Sequence, residues 1–286
     1  MAERKRRSGG RSARQAERQK PKSQTVPYIK RNIPVYNLLN EEGLSLIENN
    51  ADTILQEIGI DFRGDPEALE ILKDAGADVK EERVRFPKGM CQSLIRDTAP
   101  KEFIQHARNP ERNVVIGGEN LVLVPAYGSP FIRNVEEGRR YATIEDFRNF
   151  VKLAYLSPEL HHSGGTICEP VDLPVNKRHF DMVYTHMRYS DKPFMGSVTA
   201  PERAEDTVEM AKILFGADFI DNNTVITSLI NANSPMVWDS TMLGAMKAYS
   251  RNNQAVVVSP FCISGAMSPV TVAATSVSYT HLTLPT

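Results

Sequence analysis

Along residues 41–58, apolar side chains recur at three- and four-residue spacing through Leu44, Ile47, Ala51, Ile54, Leu55 and Ile58. That period puts one apolar stripe on one face and predicts an amphipathic helix. Asp65-Pro66 opens a shorter helix, with Leu69, Leu72 and Ala75 turned inward and Gly76 as its stop. Residues 78–87 read as a small extended segment. Together, residues 33–110 predict a mixed helical and extended N-terminal region that carries no evident site chemistry.

From residue 120 the rhythm changes. Apolar, β-prone runs at 121–126, 160–167, 193–198, 224–230 and 255–259 start roughly 30 to 40 residues apart, the length of a strand plus a crossover helix. Helical patterns fill the intervals. Thr143 with Asp146 reads as a capping box, and Thr199 with Glu202 and an intervening Pro201 reads as a second. Ser234-Pro235 is expected to open a third helix carrying Met242, Ala245, Met246 and Tyr249. Such alternation implies parallel strands joined by right-handed crossovers. Gly117-Gly118 precedes a strand instead of following one, and Gly164-Gly165 lacks the third glycine and a helix at the right distance. The dinucleotide-binding fingerprint is therefore missing, which favours a barrel over an open doubly wound sheet.

The expected fold is α/β: a (β/α)8 TIM barrel over residues 111–276 behind the mixed α/β N-terminal region. Five strand–helix units do not close eight, so the barrel is expected to be incomplete by about three units, on the order of 90 residues. Residues 277–286 match one reading frame of a transposon-type sequencing adapter and are expected to be non-native read-through.

A net charge of −1 hides a strong asymmetry. Residues 1–31 hold eleven Lys/Arg against two Asp/Glu, about +9, and the other 23 basic residues face 33 acidic ones, about −10. The arm over residues 1–32 has no apolar stretch, so it is neither a signal nor an anchor, and it is expected to be a solvated, disordered tail. Nucleic-acid binding by this arm is the minor reading. No run of about 18 apolar residues occurs, so no membrane span is expected. Cys91, Cys168 and Cys262 are scattered and odd in number, which suits a reducing cytoplasm better than a disulfide framework.

In a barrel the loops after the strand C-termini build the site. Here they are rich in small residues, which let backbone and ligand approach closely. Tyr127, Phe131 and Phe261, with Trp238 as a further aromatic, would cage a methylated ammonium, since aromatic faces attract a cation. Glu169 would add a counter-charge, and Asn231 stands on the loop after the fourth strand. No catalytic residue stands out. His161, His162 and Cys168 do not make a zinc pattern, and the histidines are read as packing or hydrogen-bonding groups. Cys262 has no activating neighbour in sequence, and no Gly-x-Ser-x-Gly elbow occurs.

Several stretches are similar to the trimethylamine methyltransferase family. They are Tyr127-Gly128-Ser129-Pro130-Phe131, residues 137–143, Gly164-Gly165-Thr166, Asp191-Lys192-Pro193-Phe194, Asn233-Ser234-Pro235-Met236, and Pro260 followed by residues 264–271. The resemblance runs over roughly residues 33–275 and leaves the basic arm outside. It implies a barrel that hands a methyl group from a small methylated amine, glycine betaine or trimethylamine, to the cobalt of a partner corrinoid protein. No cofactor would be bound directly; the cobalamin would travel on that partner. A homo-oligomer is compatible with this picture. Some members carry pyrrolysine, at a position that would fall beyond residue 275. With its barrel unclosed, the 286-residue chain is expected to be inactive by itself; the alternative is a non-catalytic methylated-amine-binding protein or an inactive fragment.

Overall fold

The computed structural model describes residues 29–233 and 235–285. The arm up to residue 28, and Ser234 with its expected helix start, lie outside the described residues.

The chain first runs through β1 (Ile29–Lys30), α1 (Glu41–Glu57), β2 (Ile60–Arg63), α2 (Pro66–Asp74), β3 (Asp78–Lys80), β4 (Arg83–Arg85) and α3 (Met90–Thr98). Next come β5 (Glu102–Gln105), β6 (Val114–Gly117) and β7 (Asn120–Leu121). Asn40 caps α1 by accepting from the Gly43 amide at 2.9 Å, and Asp65 caps α2 by accepting from Ala68. The predicted stripe of α1 is buried at Ala51 and Leu55, while Leu44 and Ile58 stay half exposed. β2, β3 and β4 form an antiparallel sheet, turned between β3 and β4 at Glu81, whose φ is +55°.

The second part holds β8 (Phe131–Asn134), β9 (Gly138–Tyr141), α4 (Ile144–Leu156), α5 (Arg178–Tyr189), β10 (Phe194–Met195), α6 (Pro201–Phe215) and α7 (Ala217–Asn222). It ends with β11 (Ile226–Ala232), β12 (Val237–Asp239), α8 (Ser240–Arg251), β13 (Ala255–Pro260) and α9 (Val272–Thr283). β10, β11 and β13 form a parallel sheet in that order. Two extended segments continue it on the β10 side through single bonds. Ser163 donates to Pro193, Met195 to Gly164, His161 to Leu123 and Gly128 to Thr166, all at 2.8–3.0 Å. The five expected runs thus lie side by side in chain order, all parallel. α4 packs on α5, α5 on α6 and α6 on α8.

Two of the five runs are not regular strands. Of 121–126, Leu121 alone is in a strand, paired antiparallel with β1. Residues 160–167 form no ladder because imidazoles take the amides that would build one. Leu123 N donates to His161 Nδ1 and Gly164 N to His162 Nδ1, both at 2.9 Å, and Gly164 sits at φ +90°. Among the described residues β13 has β11 as its one ladder neighbour, so the arc is not a closed barrel.

Two helix starts also differ from expectation. The cap of α6 is Ala200, and the Thr199 hydroxyl accepts instead from Arg203 at 2.7 Å. The helix expected at Ser234-Pro235 begins at Ser240 under an Asp239 cap. Residues 237–239 are drawn into β12, parallel to β2 with Trp238 opposite Phe62. Tertiary pairing thus overrides the local proline signal.

Ile226, Ser228, Ile230 and Ala232 of β11 are fully buried on one face, where the core lies with α6 and α8. Each such isoleucine contributes about 1.5–3 kcal/mol. At the N-terminal ends of the parallel runs, the antiparallel β5–β6 hairpin closes the arc from below. Gln105, 0% exposed, donates from Nε2 to the carbonyls of Phe194 and Val225, and His106 N donates to Thr224. The open end is the opposite one.

Candidate functional site

The rim at the C-terminal ends of the parallel runs has two neighbourhoods. In the first, Tyr127, Gly128 and Ser129 lie against residues 166–169, through Gly128 N to Thr166 O and Glu169 N to Ser129 O. In the second, the ends of β11 and β13 meet where Phe261 N donates to Ala232 O.

In the first neighbourhood the Tyr127 hydroxyl rests against Gly165, where a Cβ would sit 2.7 Å from it. Burial pushes its phenol up to about 12. Glu169 accepts from Arg178 at 2.8 Å, so its charge is already answered within the chain. In the second, Asn231 is half-buried in register with Ser259, on the face of β11 turned away from the helices, and Phe261 is 57% exposed. Phe131 belongs to neither. It lies on the β8–β9 hairpin, its centroid 4.6 Å from that of Tyr141, and the Arg139 guanidinium stands 4.0 Å from its ring centre. That face already holds a cation of this chain. Trp238 is 0% exposed between β2 and the main core, so it cannot face an amine.

The rim glycines serve close approach, but by the chain itself. A Cβ at Gly128 would overlap the Ile167 carbonyl, and one at Gly196 would overlap the Tyr249 hydroxyl. Tyr249 OH donates to Ser197 O at 2.5 Å. In the direction of a Cβ, the close approach at these glycines is made by backbone and tyrosine hydroxyls of the chain itself.

The buried histidines along and beside the second run are neutral hydrogen-bonding groups. His162 Nε2 lies 3.2 Å from Gln105 Oε1. His186 Nδ1 lies 2.7 Å from Ser163 Oγ, and its Nε2 donates to Gly165 O at 2.9 Å. Desolvation lowers His162 to about 3, with His186 adding to the effect, and lowers His186 to about 4. Among the described residues no three His, Cys, Asp or Glu side chains are placed to hold a metal ion. Cys91 and Cys168 are buried, and burial pushes both thiols up to about 12.

Sequence reasoning missed Gln105, Lys192 and His186. Lys192, 2% exposed, donates from Nζ to the carbonyls of Ala154, Ser157 and Leu160 at 2.7–2.8 Å. It thereby ties the end of α4 to the start of the second run. A lysine among polar neighbours gives no sequence sign of such burial. An apolar groove of about 400 Å³ lies between α2, α3 and α8 along Ile71, Leu72, Leu94 and Met246, and none of the five candidate residues lines it.

Parallel runs in chain order, flanked by helices and with small and aromatic residues at one rim, define an α/β protein with its candidate site at the strand ends. The chain belongs to the trimethylamine methyltransferase family, whose sequence profile matches residues 7–281. The match therefore includes most of the basic arm that the motifs left outside. The chain is 46% identical over 244 residues to a glycine betaine methyltransferase of Desulfitobacterium hafniense (strain Y51), covering 85% of this chain and 50% of that protein. It thus spans about half the length of the curated relative it matches. Two solved structures align at 11% identity over 82% of this chain and 54% of theirs. They are the Methanosarcina barkeri monomethylamine methyltransferase (TM-score 0.47) and a hydroxylamine complex of MtmB (TM-score 0.46).

Proposed function

We propose that the chain serves methyl transfer from a methylated amine, with glycine betaine ahead of trimethylamine, to the cobalt of a corrinoid carried by a partner protein. The observation that carries this reading is the 46% identity to a glycine betaine methyltransferase. On this reading the five parallel runs are an arc of a (β/α)8 barrel, and the amine sits at its open end.

The transfer breaks one N–CH3 bond, the electron pair stays on nitrogen, and a neutral tertiary amine leaves. The methyl carbon joins the acceptor's metal nucleophile. No proton moves when the amine is quaternary, so positioning in a dry, cation-stabilising place is the chief requirement. Tyr127 and Phe261 present the aromatic faces and Asn231 an amide for the polar end of the substrate. Neutral His186, bonded to Gly165, keeps competing positive charge away from the rim.

The test mixes the full-length protein with cob(I)alamin and glycine betaine or trimethylamine and follows methylcobalamin by absorbance. The expected result is methylcobalamin formation with glycine betaine, and a fall of at least about tenfold in kcat/KM for Tyr127→Ala. Amine binding without transfer would favour a non-catalytic binding protein. Neither binding nor transfer would end the proposal.

A further inference from the structure

We infer that a cavity beneath α5 is a built site for one water molecule, held by His179 and joining two helices to the rim. His179 lies on α5 with its side chain 5% exposed, and its Nε2 is 2.8 Å from Asp206 Oδ2 on α6. A carboxylate accepts, so Nε2 carries the hydrogen. Nδ1 is buried and has no partner among the described residues. A buried nitrogen left in that state is unfavourable, and folded proteins usually answer it with protein or ordered water.

The space beside it fits that answer. His179 lines a cavity of about 20 Å³ together with Gly165, Thr166, Gly196 and Ser197. One water needs about 10–15 Å³ of such room and two to four polar partners. Thr166 and Ser197 bring hydroxyls to the same walls. Room on the scale of one water, beside a buried ring nitrogen, makes solvent the ligand class. His186 also lines the cavity, but both its ring nitrogens are engaged, with Ser163 and Gly165. His179 is the imidazole with a nitrogen to spare.

The cavity walls include the ends of the second and third parallel runs, one beside Tyr127. The water therefore bridges α5 and α6 to the rim, and His179 is a positioning residue for Gly165-Thr166 and Gly196-Ser197. The site stands whether or not the rim binds an amine.

The experiment is a crystal structure of the full chain at a resolution that shows waters, with oxygen-17 relaxation dispersion counting long-lived internal waters in solution. The expected result is a water within about 3.2 Å of His179 Nδ1, and one fewer long-lived water in His179→Phe, whose ring fills the cavity. A dry cavity, an Nδ1 bonded directly to a protein group, or an unchanged count in the variant overturns the inference. If His179→Phe does not fold, the electron density of the unmodified chain decides the matter.

Discussion

Lys192 carries an unusual share of one junction. Burial lowers its ammonium to about 8, helped by Arg112 and opposed by Asp191 and Glu159. Three carbonyls at the end of α4 and beyond it depend on that one group. Lys192→Met should lower stability by about 3 kcal/mol in urea unfolding, since the carbonyls lose their donor inside the protein. Lys192→Arg should recover little, because a planar fork cannot aim one atom at three acceptors. The buried histidines make a second prediction. His162 and His186 stay neutral down to about 3 and 4, whereas in the unfolded chain they take up protons near 6.5. Their contribution is therefore complete above pH 6.5 and is lost as pH falls, on the order of 1.4 kcal/mol per unit for each. Urea midpoints at pH 7 and 5 should differ accordingly, and His186→Gln should flatten the slope. Equal midpoints would contradict the burial argument.

Among the elements, the start of α4 is the clearest agreement between local sequence and structure. The Thr143 hydroxyl accepts from Asp146 N, and the Asp146 carboxylate accepts from Thr143 N at 2.8 Å. Arg140 grips the same carboxylate with two bonds of 2.6 and 2.9 Å, which with the cap holds Asp146 down at about 2. That support is present above the unfolded value near 4 and fades as pH drops toward 2. Thr143→Ala should cost about 1 kcal/mol, and Asp146→Asn about 2 kcal/mol at pH 7 with much less effect near pH 2. Thermal melts across that range check both. The apparent capping box at Thr199 does not form although its residue types are right. A cap motif constrains only its own turn, and the path from β10 places Ala200 at the helix start.

On the scale of the molecule, chain order within the arc was legible, because a strand–helix repeat with short links permits few topologies. The open side has a consequence of its own. Among the described residues β13 has an unpaired edge, with Val257 44%, Phe261 57% and Ile263 48% exposed on and just beyond it. Such an edge templates pairing between copies. Light scattering of the 286-residue chain should show size growing with concentration, and Val257→Lys should reduce it. A monodisperse sample at high concentration would contradict this. The N-terminal region was underestimated: its β5–β6 hairpin closes the lower end of the arc, and its sheet recruits β12 from the upper end. Both contacts join residues more than 80 positions apart, which no local pattern displays.

The sequence alone determined where helices begin under strong caps, the spacing of the parallel runs and the family to which the chain belongs. Each is written in nearby residues, through side-chain period, cap chemistry and contiguous motifs. Only the tertiary structure decided which polar groups lie buried, and which rim aromatics remain available. Phe131 faces Arg139 and Trp238 is sealed in the core, whereas Tyr127, its hydroxyl end against Gly165, and Phe261 stay exposed at the rim. Whether an aromatic ring meets a ligand or its own chain depends on what folding brings opposite it, and that partner is distant in sequence.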